Sequence, residues 1–154
     1  MREQGHGTIV NIASAAAAAA TKLHVSYSPA QAAIISLSRC MNAWLARAGV
    51  AVHCLCPDLT PAGGVGRTAA TIFATEDGMT MEEWLQRRFL SRLMEPEELG
   101  KAIVELTDKP AGDVWLVGPA GREQWSNVLS TPVKADASYI VEQIRSASLG
   151  GSVR

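Results

Sequence analysis

Gly7-Thr8-Ile9-Val10-Asn11-Ile12 is short, β-branched and almost continuously apolar, the composition of a strand buried on both faces. It predicts a parallel strand. Further along, a segment opens at Ser28 with Pro29 in its first turn and carries Ile34, Leu37, Met41, Trp44 and Leu45 at helical spacing. Gly49 follows Arg47 as a stop, so a helix is predicted over 28–47. Ala51-Val52-His53-Cys54-Leu55 then reads as a second buried strand, closed by Pro57. Strand, helix and strand with short joints make a right-handed crossover unit, which places the chain in the α/β class.

Outward from this unit, residues 61–78 are rich in Gly, Ala and Thr without a clear period and read as a mobile loop. Thr80 caps a helix that carries Met81, Trp84, Leu85 and Phe89. Glu95-Pro96-Glu97-Glu98 opens another, with acids in its first turn and Leu99, Ile103 and Leu106 on one face, ending near Asp108. Asp113-Val114-Trp115-Leu116-Val117-Gly118 is a third short strand. Residues 136–146 have weak helical character within an irregular tail over 119–154.

The 154 residues are the size of one domain, and 1–154 is read as such. Fourteen basic and fifteen acidic residues give a net charge of −1, which supplies no electrostatic footprint for nucleic acid or an anionic membrane. The odd set Cys40, Cys54 and Cys56 lies in apolar runs and reads as small buried hydrophobes in a reducing compartment, with no disulfide framework and no metal site. The run of alanines over 15–20 follows a strand and lacks a basic start, so it is not a signal peptide, and no apolar stretch reaches spanning length. The expectation is a cytoplasmic protein.

Several spaced motifs, in order, resemble the short-chain dehydrogenase/reductase family. Gly7-Thr8-Ile9-Val10-Asn11-Ile12-Ala13-Ser14 is similar to the strand that delivers that family's catalytic serine. Tyr27-Ser28-Pro29-Ala30-Gln31, thirteen positions after Ser14, falls where the family has Tyr-x-x-x-Lys, with glutamine in place of the lysine. Gly49-Val50-Ala51-Val52-His53 resembles the Gly-Ile-Arg-Val-Asn strand, and Cys56-Pro57-Asp58-Leu59-Thr60 the Pro-Gly turn. The match covers about 5–118 and corresponds to the carboxyl-terminal half of a member. It implies a partial Rossmann-like (doubly wound) parallel sheet of about three strands with flanking helices.

The resemblance further implies NAD(P)-dependent hydride transfer between a carbonyl and an alcohol, on a small-molecule substrate, with NAD or NADP as cofactor. Ser14 and Tyr27 would be the catalytic hydroxyls, Gln31 would stand at the lysine position, and Pro57, Asp58, Leu59 and Thr60 would border the cofactor. A phenol four residues before an ammonium on one helix face is a way to build a tyrosine that exchanges protons near neutral pH. Here the charge is absent. Unassisted phenols have a pKa of about 10, so alcohol oxidation suffers most and ketone reduction is the direction expected to survive.

Asp58 places a side chain where the family has glycine and backbone approaches the cofactor. Ala62 stands where a threonine often bonds the carboxamide. The sequence contains no Thr-Gly-x-x-x-Gly-x-Gly turn to cradle a pyrophosphate, and Gly63-Gly64-Val65-Gly66 follows a loop instead of opening a helix, so its glycines read as flexibility. The chain then reads as a truncated gene product, an internal start or a fragment, weak or inactive alone. The alternative is a non-catalytic oligomerisation or scaffold protein. His24, His6 and His53 read as histidines without a role. Trp84 and Phe89 fit either a substrate-covering segment or amphipathic core packing. The strand at 8–12 is expected to keep one unpaired edge, and helices 28–47 and 97–107 resemble those of the family's four-helix dimer interface, implying a homo-oligomer.

Overall fold

The computed structural model describes residues 1–19, 22–60, 62, 64–88 and 94–125. Its strands are β1 (Gly7–Ile12), β2 (Val50–Pro57), β3 (Val114–Gly118) and β4 (Gly121–Gln124), in the order β1-β2-β3-β4. The helices are α1 (Tyr27–Leu45), α2 (Gly64–Glu76), α3 (Met81–Arg88) and α4 (Pro96–Thr107). β1 runs parallel to β2 from Gly7↔Val50 to Ile12↔Leu55, and β2 parallel to β3 from Cys54↔Val114 to Pro57↔Val117. β1 is the outer strand, and its far edge is unpaired among the described residues. The α/β crossover read from the sequence is present.

The sheet is mixed, however. β4 turns back antiparallel on β3, from Trp115↔Gln124 to Gly118↔Gly121, inside the stretch expected to be irregular tail. Gly121 holds φ at 114°, which suits a tight return that other residues resist. Its residues Gly-Arg-Glu-Gln are polar, so the strand has no apolar alternation to betray it. Residues 136–146, expected to be weakly helical, lie outside the described residues.

Residues along β2 point alternately to the two faces of the sheet. Val50 and Val52 pack with Leu45, Met41 and Ile9, and Cys54 and Cys56 with Ile34 and Ile35, so this face belongs to α1. Leu55 packs with Met94, Ala102 and Leu106 on the α4 side. Burying each such aliphatic side chain contributes roughly 1.5–3 kcal/mol. Cys54 and Cys56 are buried free thiols, as read; the neighbouring Cys54 thiol, together with burial, pushes the Cys56 thiol up. Cys40 corrects the reading, because it lies exposed on α1.

The periodicity of α1 merges two stripes. Ile35, Ser38 and Leu45 face the sheet, whereas Leu37 and Trp44 are 56% and 66% exposed. After α1 a 3-10 turn ends at Gly49, whose φ of 70° is left-handed and whose missing Cβ lets the Gly5 carbonyl approach. The stop signal is therefore real.

The largest correction falls on 61–78. Most of it is the helix α2, which forms a hairpin with α3 around a core of Ala70, Ala74 and Trp84, packed with Leu59, Phe73, Met79, Met81 and Leu85. Gly64 opens α2, contrary to the expectation that this glycine run opens no helix. The threonines that blurred the pattern satisfy their hydroxyls inside the helix, where Thr68, Thr71 and Thr75 donate to the carbonyls of Gly64, Arg67 and Thr71. Thr80 caps α3 as read: its hydroxyl accepts from Glu83 N–H at 3.2 Å, and Glu83 Oε2 accepts from Thr80 N–H at 2.9 Å. Glu98 reaches back in the same way to Glu95 N–H, 2.9 Å, at the start of α4. Phe89 lies outside the described residues.

Candidate active site

Ser14 sits just past the carboxyl end of β1. The pairing continues beyond the strand, since Ala13 N–H donates to Leu55 C=O at 2.8 Å, and Ser14 then leaves in an extended conformation to cap a 3-10 turn over Ala15–Ala18. Its Oγ accepts from Ala16 N–H at 3.1 Å. A hydroxyl held as an acceptor by backbone keeps its own proton to donate. The half-buried Ser14 thus offers a fixed oxygen and one unspent donor.

Tyr27 is the first residue of α1 and is 42% exposed; Gln31, half-buried, follows one turn on along the same helix face. Pro57 closes β2, and Asp58 N–H donates to Val117 C=O at 2.7 Å, fastening the turn to β3. Thr60 Oγ1 donates to the Asp58 carbonyl at 3.2 Å, and Leu59 packs into the α2–α3 hairpin. Because β1 and β2 are parallel neighbours, Ser14 and Asp58 lie beyond adjacent strand carboxyl ends. That is where open α/β sheets form ligand crevices.

The Asp58 carboxyl is pushed up by burial, while the Leu59 backbone N–H and the Arg88 guanidinium oppose the shift. Arg88 lies over the Trp84 ring, 4.7 Å from its centroid. The arrangement puts at the end of β2 an acid whose pKa burial raises, within the electrostatic reach of Arg88 on α3. Ala62, at the family's threonine position, is exposed.

His24, read as a histidine without a role, lies against Tyr27 with ring centroids 5.9 Å apart and meets Phe73 edge-on at 5.3 Å. Phe73 in turn stacks on Trp84 at 5.6 Å, and Trp84 Nε1 donates to Asp77 Oδ2 at 2.9 Å. Burial, and then the Arg88 charge, hold the His24 imidazole below its ordinary 6.5, so it is neutral at pH 7. Phe73 and Arg88 were missed. The spacing of Ala70, Phe73 and Ala74 was the available helical signal for the first; nothing local marks the second.

His53 is wholly buried in β2, where Nδ1 accepts from Trp115 Nε1 at 3.1 Å, so it belongs to the core rather than to this crevice. Trp84 serves the hairpin core and presents a ring face to Phe73. Among the described residues no helix is long and apolar enough to cross a membrane.

Residues 1–114 match a family model described as enoyl-(acyl carrier protein) reductase. The chain is 30% identical over 112 residues to acetoacetyl-CoA reductase of Rhizobium meliloti (strain 1021), a match covering 73% of this chain and 44% of that protein. It therefore spans less than half the length of this relative. The fold is similar to levodione reductase, with a TM-score of 0.64, 21% identity, and 77% of this chain against 47% of the other. It is also similar to actinorhodin polyketide ketoreductase, solved with NADPH, with a TM-score of 0.63, 20% identity, and coverage of 73% and 46%.

Proposed function

The chain belongs to the short-chain dehydrogenase/reductase family, and from that premise we propose that it carries the substrate half of a NAD(P)-dependent carbonyl reductase. The observation that carries the reading is the placement of Ser14 beyond β1, Asp58 beyond the adjacent β2, and Tyr27 at the start of the helix joining them. In the reduction, Ser14 Oγ–H holds the carbonyl oxygen and the Tyr27 hydroxyl delivers the proton to it. A bound nicotinamide supplies the hydride.

The residues fit one end of such a cofactor. Gln31 offers a neutral amide to a ribose hydroxyl, and Thr60 and the backbone of 57–60 border the same crevice. Asp58 brings a carboxyl side chain into that border, and no described strand-to-helix turn cradles a pyrophosphate. We infer that the chain alone is a weak or inactive reductase, because Gln31 lacks the charge of the family's lysine and Asp58 sets a carboxyl side chain at the cofactor border.

Replacing the amide by the family's ammonium tests this reading. With NADH or NADPH in excess, Gln31→Lys is expected to raise kcat/KM for ketone reduction by about tenfold or more, the size of a general acid–base contribution. If neither the parent chain nor the variant quenches tryptophan fluorescence on titration with either nucleotide, the reductase reading falls.

A second reading, an oligomerisation or scaffold protein, is favoured by one observation. Leu37, Cys40 and Trp44 are exposed along one face of α1, and the far edge of β1 is unpaired among the described residues. We assign that stripe, with the outer face of α4, to a second copy of the chain, and the homo-oligomer is compatible with either function.

A further inference from the structure

Which backbone groups of β1 lack partners follows from one bond just past its end. Ala13 N–H donates to Leu55 C=O at 2.8 Å, and alternate residues of a strand send their N–H and C=O to the same side. Gly7, Ile9 and Asn11 therefore face β2, while Thr8, Val10 and Ile12 turn theirs to the free edge, where no described strand pairs with them. Natural sheets blunt such an edge with a charge or a proline, and Gly7–Ile12 contains neither. The Ile12 side chain, on the same face as Thr8 and Val10, is 44% exposed.

The helix covering that face is polarised across its width. On α4, Glu105 pairs with Arg122 of β4 at 3.1 Å, whereas the Thr107 carbonyl accepts from Thr8 Oγ1 of β1 at 3.3 Å. At about 100° per residue, Glu97, Glu98, Lys101 and Asp108 fall on the arc that includes Glu105. Gly100, Ile103, Val104 and Thr107 fall on the arc toward β1, which is uncharged, and Val104 is 65% exposed. A Cβ added to Gly100 meets nothing within 4 Å, so packing inside one chain does not call for glycine there.

Resting on the homo-oligomer assigned above, we propose that two copies join edge to edge, β1 pairing antiparallel with β1 of the second copy across a two-fold axis. The axis stands perpendicular to the sheet, so the two α4 helices share one face and opposed residues point to the same side. The register that engages every outward group sets Val10 opposite its own counterpart and Thr8 opposite Ile12, closing about six hydrogen bonds. The exposed Ile12 side chain then turns toward the uncharged flank of the other α4. Charge selects a second copy as the occupant. A two-fold axis sets like groups near like, which a charged surface resists and which this strand and flank, free of Lys, Arg, Asp and Glu, permit. The last described residue, Trp125, is bonded to Val114 of β3, across the sheet from this edge.

The whole chain is tested by sedimentation and by residue-resolved amide hydrogen exchange over a range of concentrations. A mass about twice that of one chain is expected. The Thr8, Val10 and Ile12 amides are expected to slow about tenfold or more as the pair forms, while those of Ile9 and Asn11, bonded to β2, stay protected throughout. Ile12→Lys charges an exposed edge residue and is expected to restore the mass of one chain and rapid exchange at Thr8 and Val10, with circular dichroism unchanged. An assembly in which the three amides exchange freely, or which Ile12→Lys leaves whole, overturns the edge pairing and leaves assembly through α1 standing. A single chain at every concentration overturns both, and slow exchange of the three amides in that single chain assigns the edge to a segment of the same chain.

Discussion

His53 Nδ1 accepts the indole N–H of Trp115 at 3.1 Å, and the backbone N–H of Asp113 points to the same atom at 3.2 Å. With Nδ1 serving as acceptor, the ring proton resides on Nε2 and a second proton has no place to go without displacing both donors. Burial pushes the His53 pKa below its ordinary 6.5; the Lys109 backbone and Asp113 oppose this, while the Arg122 and Lys109 charges assist it. The native state therefore binds fewer protons than the unfolded chain in the window beneath 6.5, and stability is lost as pH falls through it. His24, shifted in the same direction, adds to the effect. Urea unfolding from about pH 7.5 to about pH 5.5 is expected to show a falling midpoint, with a shallower fall in His53→Gln. A flat profile would contradict the assignment.

Asn42 clips α1 to the sheet. Its Oδ1 accepts from Val52 N–H at 3.1 Å and its Nδ2 donates to Gly112 C=O at 3.1 Å, while a Cβ on Gly112 would meet Val52 backbone and the Asn42 amide. Asn42→Ala leaves both backbone groups unpaired and is expected to cost about 1–3 kcal/mol. Asn42→Asp retains the acceptor and should cost less. Equal losses in chemical denaturation would show that the Val52 N–H bond to Oδ1 does not carry the effect.

The start of α3 depends on Thr80 and Glu83, which bond each other's backbone N–H groups. Thr80→Ala is expected to destabilise the chain by about 1 kcal/mol, and Thr80→Ser to restore most of it. Trp84, one turn into the helix and buried in the hairpin core, provides the fluorescence signal. If Thr80→Ser behaves like Thr80→Ala, the cap contributes through its methyl group and not its hydroxyl.

Assembly through the outer stripe of α1 predicts that a charge at Leu37 separates the copies. Leu37 is 56% exposed, so Leu37→Asp should leave the fold intact by circular dichroism while lowering the mass measured by sedimentation. Aspartate costs little on an exposed helix face but much in a desolvated interface. An unchanged sedimentation profile would remove this face as the contact.

The order of elements was legible because its signals are local. Pro29 near a helix start, left-handed Gly49 at its stop, Thr80 with Glu83 and Glu95 with Glu98 each act within four residues. The hairpin of α2 and α3 was hidden because Gly and Thr have poor helix propensity, and only packing against Leu59 and Trp84 makes that stretch worth folding. β4 was hidden because an all-polar strand has no period to read.

The sequence by itself determined the family's motif order, the parallel crossover, and Ser14, Tyr27 and Gln31 as the residues to watch. Tertiary structure decided which stripe of α1 is buried, that the Arg88 charge acts on both Asp58 and His24, and that His24 touches both Tyr27 and Phe73. The physical reason is that burial and contact belong to pairs brought together by the closing sheet and hairpin, and partners as far apart in the chain as His24 and Phe73 or Asp58 and Arg88 leave no periodic or capping mark on either segment.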